Sequence, residues 1–248
     1  MVLHETKTRL SKAVLLKDAF TGEPVSSGIR IRSLSGGKTE KKGDGHFLFL
    51  DVDSPELEIE VESPIYQRRC VRLTADHGAQ LDEILMYPSP AYPLRAGNTV
   101  VRGRVAPESV LSFYIEDERG CCRLISDYKK GEGKISFYLK GRITGTIWHI
   151  QEKQKKAGEY FRVKHMDDSS EMYELWQPLK ATYSKKDTVI HPAQETIADE
   201  NGEFYLLFAE LPQETCLLHY SYGSTGGEMS GETEIIRGKE NHILAEED

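Results

Sequence analysis

Residues 57–62 read Leu-Glu-Ile-Glu-Val-Glu, so that apolar and acidic side chains alternate without interruption. Successive side chains of a β-strand point to opposite faces, and this alternation is typical of a strand with one buried and one wet side. The same period recurs at Ile29 and Ile31, which are separated by an arginine, and again at Val71 and Leu73. The chain is therefore predicted to adopt an all-β fold.

Three glycine turns are each followed by apolar residues at the second and fourth positions, which indicates a weak internal repeat. A glycine tolerates the positive φ of a tight turn, and alternate residues after it then enter a core. The first two copies also share a Lys-Lys-Gly-acid-Gly sequence at 41–45 and 129–133. The apolar pairs are Phe47 and Phe49 after Gly45, Ile135 and Phe137 after Gly133, and Phe204 and Leu206 after Gly202.

A proline-rich segment divides the chain. Residues 87–93 read Tyr-Pro-Ser-Pro-Ala-Tyr-Pro, and prolines cannot donate to a central sheet ladder. We predict a β-sandwich at 1–86, a linker at 87–97 and a second sandwich at 98–248. The second part is too long for one plain copy, so it carries either a large insertion around 145–195, which we favour, or two degenerate copies.

One short helix is predicted inside that insertion. Met172, Leu175 and Trp176 have the i, i+3, i+4 spacing that places side chains on one face of a helix. The prediction covers residues 169–176.

The first part carries motifs of a known domain. Residues 17–25 read Lys-Asp-Ala-Phe-Thr-Gly-Glu-Pro-Val, residues 45–49 read Gly-His-Phe-Leu-Phe, and Tyr66 precedes a final strand. This pattern resembles the carboxypeptidase regulatory-like domain, a prealbumin (transthyretin)-like β-sandwich, over residues 12–85. The resemblance implies tandem prealbumin-like or Ig-like sandwiches, with a weaker second copy towards the C-terminus, and it implies a fold rather than a chemistry.

A prealbumin-like module followed by residues 87–93 also resembles accessory proteins of contractile phage-tail-like particles. This second resemblance implies a place in a large protein assembly.

Composition and charge exclude several classes of function. The formal net charge of −8 is opposite to the basic footprint that nucleic-acid binding needs. No stretch approaches the roughly 18 apolar residues of a membrane span, and the first ten residues lack the apolar core of a signal peptide. The four cysteines include no CxxC pair, which favours reduced thiols. We expect a cytoplasmic protein that binds neither nucleic acid nor membrane.

The sequence shows no catalytic motif. No Walker, Rossmann or Gly-x-Ser-x-Gly pattern is present. Intradiol dioxygenases, which share the sandwich, need a His-x-His pair that this chain lacks. We therefore expect no enzyme, cofactor or metal, with a metal site assembled from distant residues as an alternative. The histidines, none paired at i, i+2 or i, i+4, are His4, His46, His77, His149, His165, His191, His219 and His242.

These observations favour a structural or interaction module that presents loops to a protein partner. Tyr87, Tyr92, Trp148 and Trp176 are the candidate partner-binding residues, because tyrosine and tryptophan are enriched at binding hot spots. The competing interpretation is that Trp148 lies in the core, the two tyrosines pack the linker and Trp176 caps the insertion. A carbohydrate-binding module is a further alternative, since 12 Tyr and 2 Trp could supply exposed rings for a glycan.

Overall fold

The computed structural model describes residues 8–75, 81–117, 121–138, 146–153, 158–164, 172–224 and 227–244. The chain divides into two compact units, Met1–Arg95 and Ala96–Asp248. Twenty β-strands and no helix occur among the described residues, which confirms the all-β prediction. Among these residues no helix is long and apolar enough to cross a membrane. His4, His77 and His165 lie outside the described residues.

The described residues of the first unit form seven strands in two sheets. Their order is β3-β4-β1-β7 in one sheet and β2-β5-β6 in the other. Both sheets contribute to one core, which contains Val14 and Phe49 from the first sheet and Leu57 and Ile59 from the second. The strands are β1 (Leu10–Asp18), β2 (Arg30–Ser33), β3 (Lys38–Lys41), β4 (His46–Leu50), β5 (Glu56–Glu62), β6 (Arg69–Thr74) and β7 (Leu81–Met86).

Strand β1 organises the first sheet. It pairs antiparallel with β4 and parallel with β7. Strand β4 follows a turn in which Asp44 and Gly45 have φ values of 53° and 75°. A Cβ on Gly45 would lie 3.0 Å from the carbonyl oxygen of Leu16 and 3.1 Å from the amide nitrogen of Val25. Only glycine fits both this backbone conformation and this close approach.

The tyrosine- and proline-rich segment predicted as a linker is in large part bound to the first unit. The amide of Gln67 donates to the carbonyl of Tyr87, and the amide of Ser89 donates to the carbonyl of Ile65. Prolines on either side of Ser89 do not prevent this, because the serine between them keeps its N–H. Residues 87–92 therefore belong to the edge of the first sandwich.

In the second unit, the part of the chain that the structure describes forms thirteen strands. They are β8 (Thr99–Arg104), β9 (Val110–Ile115), β10 (Arg123–Leu124), β11 (Lys134–Ile135), β12 (Phe137–Tyr138), β13 (Ile147–Glu152), β14 (Gly158–Arg162), β15 (Tyr173–Glu174), β16 (Thr188–Ile197), β17 (Glu203–Phe208), β18 (Thr215–Ser224), β19 (Gly227–Ile236) and β20 (Glu240–Leu244).

A three-stranded sheet and a six-stranded sheet enclose the main core of this unit. The sheet orders are β17-β8-β20 and β14-β13-β16-β9-β18-β19. Strand β8 lies between an antiparallel β17 and a parallel β20, which repeats the relation of β1 to β4 and β7. Phe204 and Ile243 from the first sheet meet Phe113 and Leu218 from the second in one core.

Residues 116–187 separate β9 from β16 in sequence, although these two strands are paired. Within this segment β13 and β14 extend the six-stranded sheet, and the other strands form two short ladders, β10-β12 and β11-β15. Trp148 and Ile150 pack with Phe137 and Tyr173 into a separate core. The segment is thus a folded insertion with its own apolar centre.

The predicted helix over 169–176 is wrong in the part that the structure describes. Residues 169–171 lie outside the described ranges, and the chain from Met172 onward contains β15. Tyr173 and Leu175 are buried, whereas Met172 and Trp176 are exposed, which is the period of a strand. Pairing with β11 decides the conformation here, because spacing over eight residues fits either element.

All six apolar residues of the glycine-turn repeat are buried, as predicted. The first and third copies are equivalent, because β4 and β17 both pair with the first strand of their unit. The middle copy contributes β11 and β12 to the small ladders of the insertion. The faint third copy is therefore the structural counterpart of the first.

Candidate functional site

The structure separates the four aromatic residues predicted to contact a partner. Trp148 is fully buried and Tyr87 is 4% exposed, so neither side chain can touch a partner in this conformation. This corrects their assignment: Trp148 packs edge-on against Phe137, and the guanidinium of Arg69 lies over the ring of Tyr87. Trp176 is 58% exposed and remains accessible.

Tyr92, the fourth candidate, belongs to a hydrogen-bonded cluster in the first unit. Buried Asp18 accepts hydrogen bonds from the amides of Phe20 (2.7 Å) and Thr21 (3.1 Å) through Oδ1. Its Oδ2 accepts from the hydroxyls of Tyr66 (2.8 Å) and Tyr92. Burial raises the pKa of both tyrosines, and the Asp18 carboxylate raises them further. The cluster fixes the turn after β1 to the end of the unit, which is an architectural role.

In the second unit, the six-stranded sheet is rolled about one face. The rings of Tyr160 on β14 and Tyr114 on β9 lie 6.1 Å apart, centroid to centroid, although β13 and β16 lie between these strands in the sheet order. Arg162 on β14 similarly reaches across β13 to bind both carboxylate oxygens of Glu195 on β16, at 2.7 and 2.8 Å. Such contacts across the sheet require a concave face, and side chains on that face bury one another.

The concave face holds a stack of aromatic rings centred on Tyr114. The ring of His149 lies parallel to it with centroids 3.9 Å apart, and that of His219 lies parallel at 4.6 Å. His191 is stacked less closely, at 5.2 Å. Strand register places Tyr114 opposite His219 on β18 and opposite Ala193 on β16. The small alanine leaves room for Tyr114 to reach the histidines beyond it.

Burial keeps the imidazoles of His149 and His191 neutral near pH 7. It lowers the pKa of His149 to about 3, with smaller contributions from His191 and His219. Burial also lowers the pKa of His191, opposed in part by the Glu116 carboxylate. His219 lies 3.6 Å from the carboxylates of both Glu116 and Glu232. The site therefore combines neutral rings at its centre with carboxylates at its rim.

The hydrogen bonds of the stack are incomplete within the described chain. The Tyr114 hydroxyl donates to Oε1 of Gln151 at 3.0 Å. Neither ring nitrogen of His191, nor Nδ1 of His149, has a partner among the described residues. Burial raises the pKa of Tyr114, with added effects of Glu116 and Glu232, so the phenol stays protonated.

This cluster could not be predicted from the sequence, because the three histidines lie on different strands, β13, β16 and β18. Only the pairing register brings them together, with His149 directly opposite His191. No group of three or more His, Cys, Asp or Glu side chains in the described part of the chain is arranged to hold a metal ion. The lone pairs of His149 and His219 lie in ring planes parallel to Tyr114. Parallel planes of this kind cannot converge on one ion about 2 Å from each nitrogen.

A cavity of about 640 Å³ opens beside the stack, where β14 approaches the β18–β19 hairpin. Its wall includes Tyr160 on β14 and Ser221 on β18. Burial raises the pKa of Tyr160, and Tyr114 and Glu228 add to the effect. The complete lining is Val110, Ser112, Glu152, Gly158, Glu159, Tyr160, Lys180, Ala181, Tyr183, Ser221, Tyr222, Gly223, Gly227 and Glu228.

The four cysteines all lie in described residues, and none forms a disulfide. Cys70 is exposed, and the other three are buried.

Comparison with known proteins identifies no family. No protein-family model matches the chain, and no curated protein matches it. One solved structure, described as the anomalous substructure of Titin-A168169, aligns with 96% of this chain and 99% of its own. The sequence identity is 9% and the TM-score is 0.14, so this likeness carries no argument.

Proposed function

We propose that the protein is a non-enzymatic interaction module whose insertion in the second unit docks onto a protein partner. The observation that carries the proposal is the exposure of two large apolar residues on either side of β15. Met172 is 52% and Trp176 58% exposed, while Tyr173 and Leu175 between them are buried in the core of the insertion. Two large apolar side chains thus face solvent from a strand that is anchored by its opposite side.

Exposed tryptophan is the residue type that most often carries binding energy at protein interfaces. Between the two apolar residues lies Glu174, whose carboxylate forms an ion pair with Lys164 at 2.5 Å. Tyr138 on β12 adds a third large side chain of the insertion that is mostly exposed, at 59%. An apolar centre with charged groups beside it is the usual composition of a docking surface.

We also propose that the first unit is a prealbumin-like sandwich and that the second is a divergent copy. In support, the turn and tyrosine motifs meet in space, since Asp18 binds both its own turn and Tyr66. The parallel pairing of first and last strand is found in both units. Such modules serve as spacers in large assemblies, and a cytoplasmic assembly such as a phage-tail-like particle fits the resemblance seen in the sequence.

The test uses the full-length chain with an affinity tag, expressed in its source and crosslinked before purification. We expect the wild type to recover one protein partner and Trp176→Ala to lose it, because truncation removes the largest exposed ring. Leu34→Ala, at a 47% exposed position of the first unit, is the matched control and should recover the partner normally.

Tryptophan fluorescence gives an independent readout on the purified pair. Trp148 is already buried, so a shift of emission to shorter wavelength on complex formation would come from Trp176. Equal recovery of the partner by wild type and Trp176→Ala, or recovery of no partner by either, would refute the docking proposal.

A further inference from the structure

The cavity beside the histidine–tyrosine stack has the dimensions of a ligand site. Its volume of about 640 Å³ falls within the range of roughly 300–1,000 Å³ that is typical of small-molecule sites. All of its lining residues belong to the second unit. It is formed by the rolled sheet itself and does not involve the exposed side of β15.

One wall of the cavity is held rigid by Glu159. Its carboxylate accepts hydrogen bonds from the amides of Lys180 (2.9 Å) and Ala181 (3.1 Å) and from the hydroxyl of Tyr183 (3.0 Å). These bonds fasten the 180–183 loop to the first residues of β14. The other charged residues that line the cavity are Glu152, Glu228 and Lys180.

The opposite wall supplies hydroxyl groups and an aromatic ring. Ser112 and Ser221 contribute hydroxyls from β9 and β18, and Tyr160 contributes a half-buried ring. The ring of Tyr222 is on the other face of β18 and packs on the main core. Hydroxyls both donate and accept hydrogen bonds, whereas carboxylates accept and an ammonium donates. The cavity therefore offers both kinds of partner together with flat apolar ring surface.

We propose that this cavity binds a neutral oligosaccharide. Carboxylates at Glu152 and Glu228 disfavour an anion, the Lys180 ammonium disfavours a small cation, and the polar lining disfavours a lipid. Sugar hydroxyls donate to carboxylates and accept from the ammonium, forming charge-assisted hydrogen bonds. The C–H faces of sugar rings pack on tyrosine as other apolar surfaces do.

Glycines shape the rim of the cavity and provide a way to block it. A Cβ on Gly158 would lie 2.6 Å from the imidazole of His149, so this position holds the rim against the ring stack. A Cβ on Gly223 would meet no heavy atom within 4 Å, and its φ is not in the left-handed region. Gly223→Leu should therefore fill the cavity without straining the backbone.

The test is isothermal titration calorimetry with the full-length protein and three neutral probes, maltotriose, cellotriose and chitotriose. A galacturonic acid trimer and spermidine serve as the anionic and cationic comparators. We expect at least one neutral probe to bind, with an affinity that Gly223→Leu lowers about tenfold or more. Gly43→Leu places the same side chain at an open, exposed glycine of the first unit and should bind as the wild type does.

Glu228→Gln is a second variant, at an exposed position, and should weaken the same probe several-fold by removing a charged acceptor. Trp176→Ala should leave binding unchanged, which separates this proposal from docking at β15. Failure of all three neutral probes, binding of spermidine or the acidic trimer in their place, or wild-type affinity in both cavity variants would overturn the proposal.

Discussion

Acidification should destabilise the second unit through His149. Its pKa is lowered from an ordinary value of 6.5 to about 3, mainly by burial. The unfolded chain therefore takes up a proton as pH falls below 6.5, whereas the folded chain does so only near pH 3. The contribution of neutral His149 to the free energy of unfolding is fully present above pH 6.5 and is lost as the pH falls from 6.5 to 3.

The size of the effect follows from the two pKa values. At pH 5 the unfolded histidine is almost fully protonated and the folded one is neutral, which corresponds to a loss of about 2 kcal/mol relative to pH 7.5. His191, whose pKa is also lowered, adds to the loss in the same direction. The groups that face His149 are Tyr160 on β14, Tyr114 on β9, His191 on β16 and His219 on β18.

Urea unfolding of the full-length protein at pH 7.5, 6 and 5 measures this loss. Tryptophan fluorescence reports the second unit alone, because both tryptophans, Trp148 and Trp176, belong to it. His149→Phe keeps a ring on Tyr114 but cannot take a proton, so it should lose about 2 kcal/mol less than the wild type between pH 7.5 and 5. His242→Phe, at an exposed histidine of β20, is the control and should keep the wild-type slope.

Two outcomes would contradict the reasoning. One is a wild-type free energy of unfolding that does not change between pH 7.5 and 5. The other is a pH dependence in His149→Phe as steep as that of the wild type, which would assign the titration to other groups.

Three further variants test the architecture by thermal unfolding. Asp82→Ala removes the carboxylate 2.9 Å from the buried ammonium of Lys12 and should cost about 2 kcal/mol; an unchanged transition would show that this ion pair contributes nothing. Tyr66→Phe removes one hydrogen bond to Asp18 and should lower the free energy of unfolding by about 1 kcal/mol. An unchanged free energy would mean that water replaces this bond. Gly202→Ala forces a Cβ into a backbone with φ of 80° and a contact of 2.1 Å, so a loss below about 1 kcal/mol would contradict the turn geometry.

The strands could be predicted from the sequence because alternation is a local property. Leu57, Ile59 and Val61 are fully buried, as the period requires. The exception within the same strand is Glu60, which is 3% exposed. Its carboxylate forms ion pairs with Arg32 and with Arg68. A polar residue on the outer face of a strand can thus be covered by long side chains of neighbouring strands, and a single strand does not reveal this.

The segment from residue 87 shows the opposite case, in which composition pointed away from the structure. The prolines exclude a central strand and predict an extended linker. The remaining donors between them decide otherwise, because the amide of Ser89 and the hydroxyl of Tyr92 bind groups of the first unit. Those partners, Ile65 and Asp18, are distant in sequence, so the attachment could not be read from the segment itself.

The histidine cluster illustrates what strand register adds to a sequence. Each histidine occupies an ordinary position of a different strand, and the cluster exists because β13, β16, β9 and β18 are neighbours in a rolled sheet. Rolling buries imidazoles that a flat sheet would leave exposed to water, and it brings β14 close to β18, so that Tyr160 and Ser221 line one cavity. The same curvature that lowers the pKa of His149 therefore opens the cavity beside it. Tyr160 connects the two features, because its ring packs against His149 and also lines the cavity.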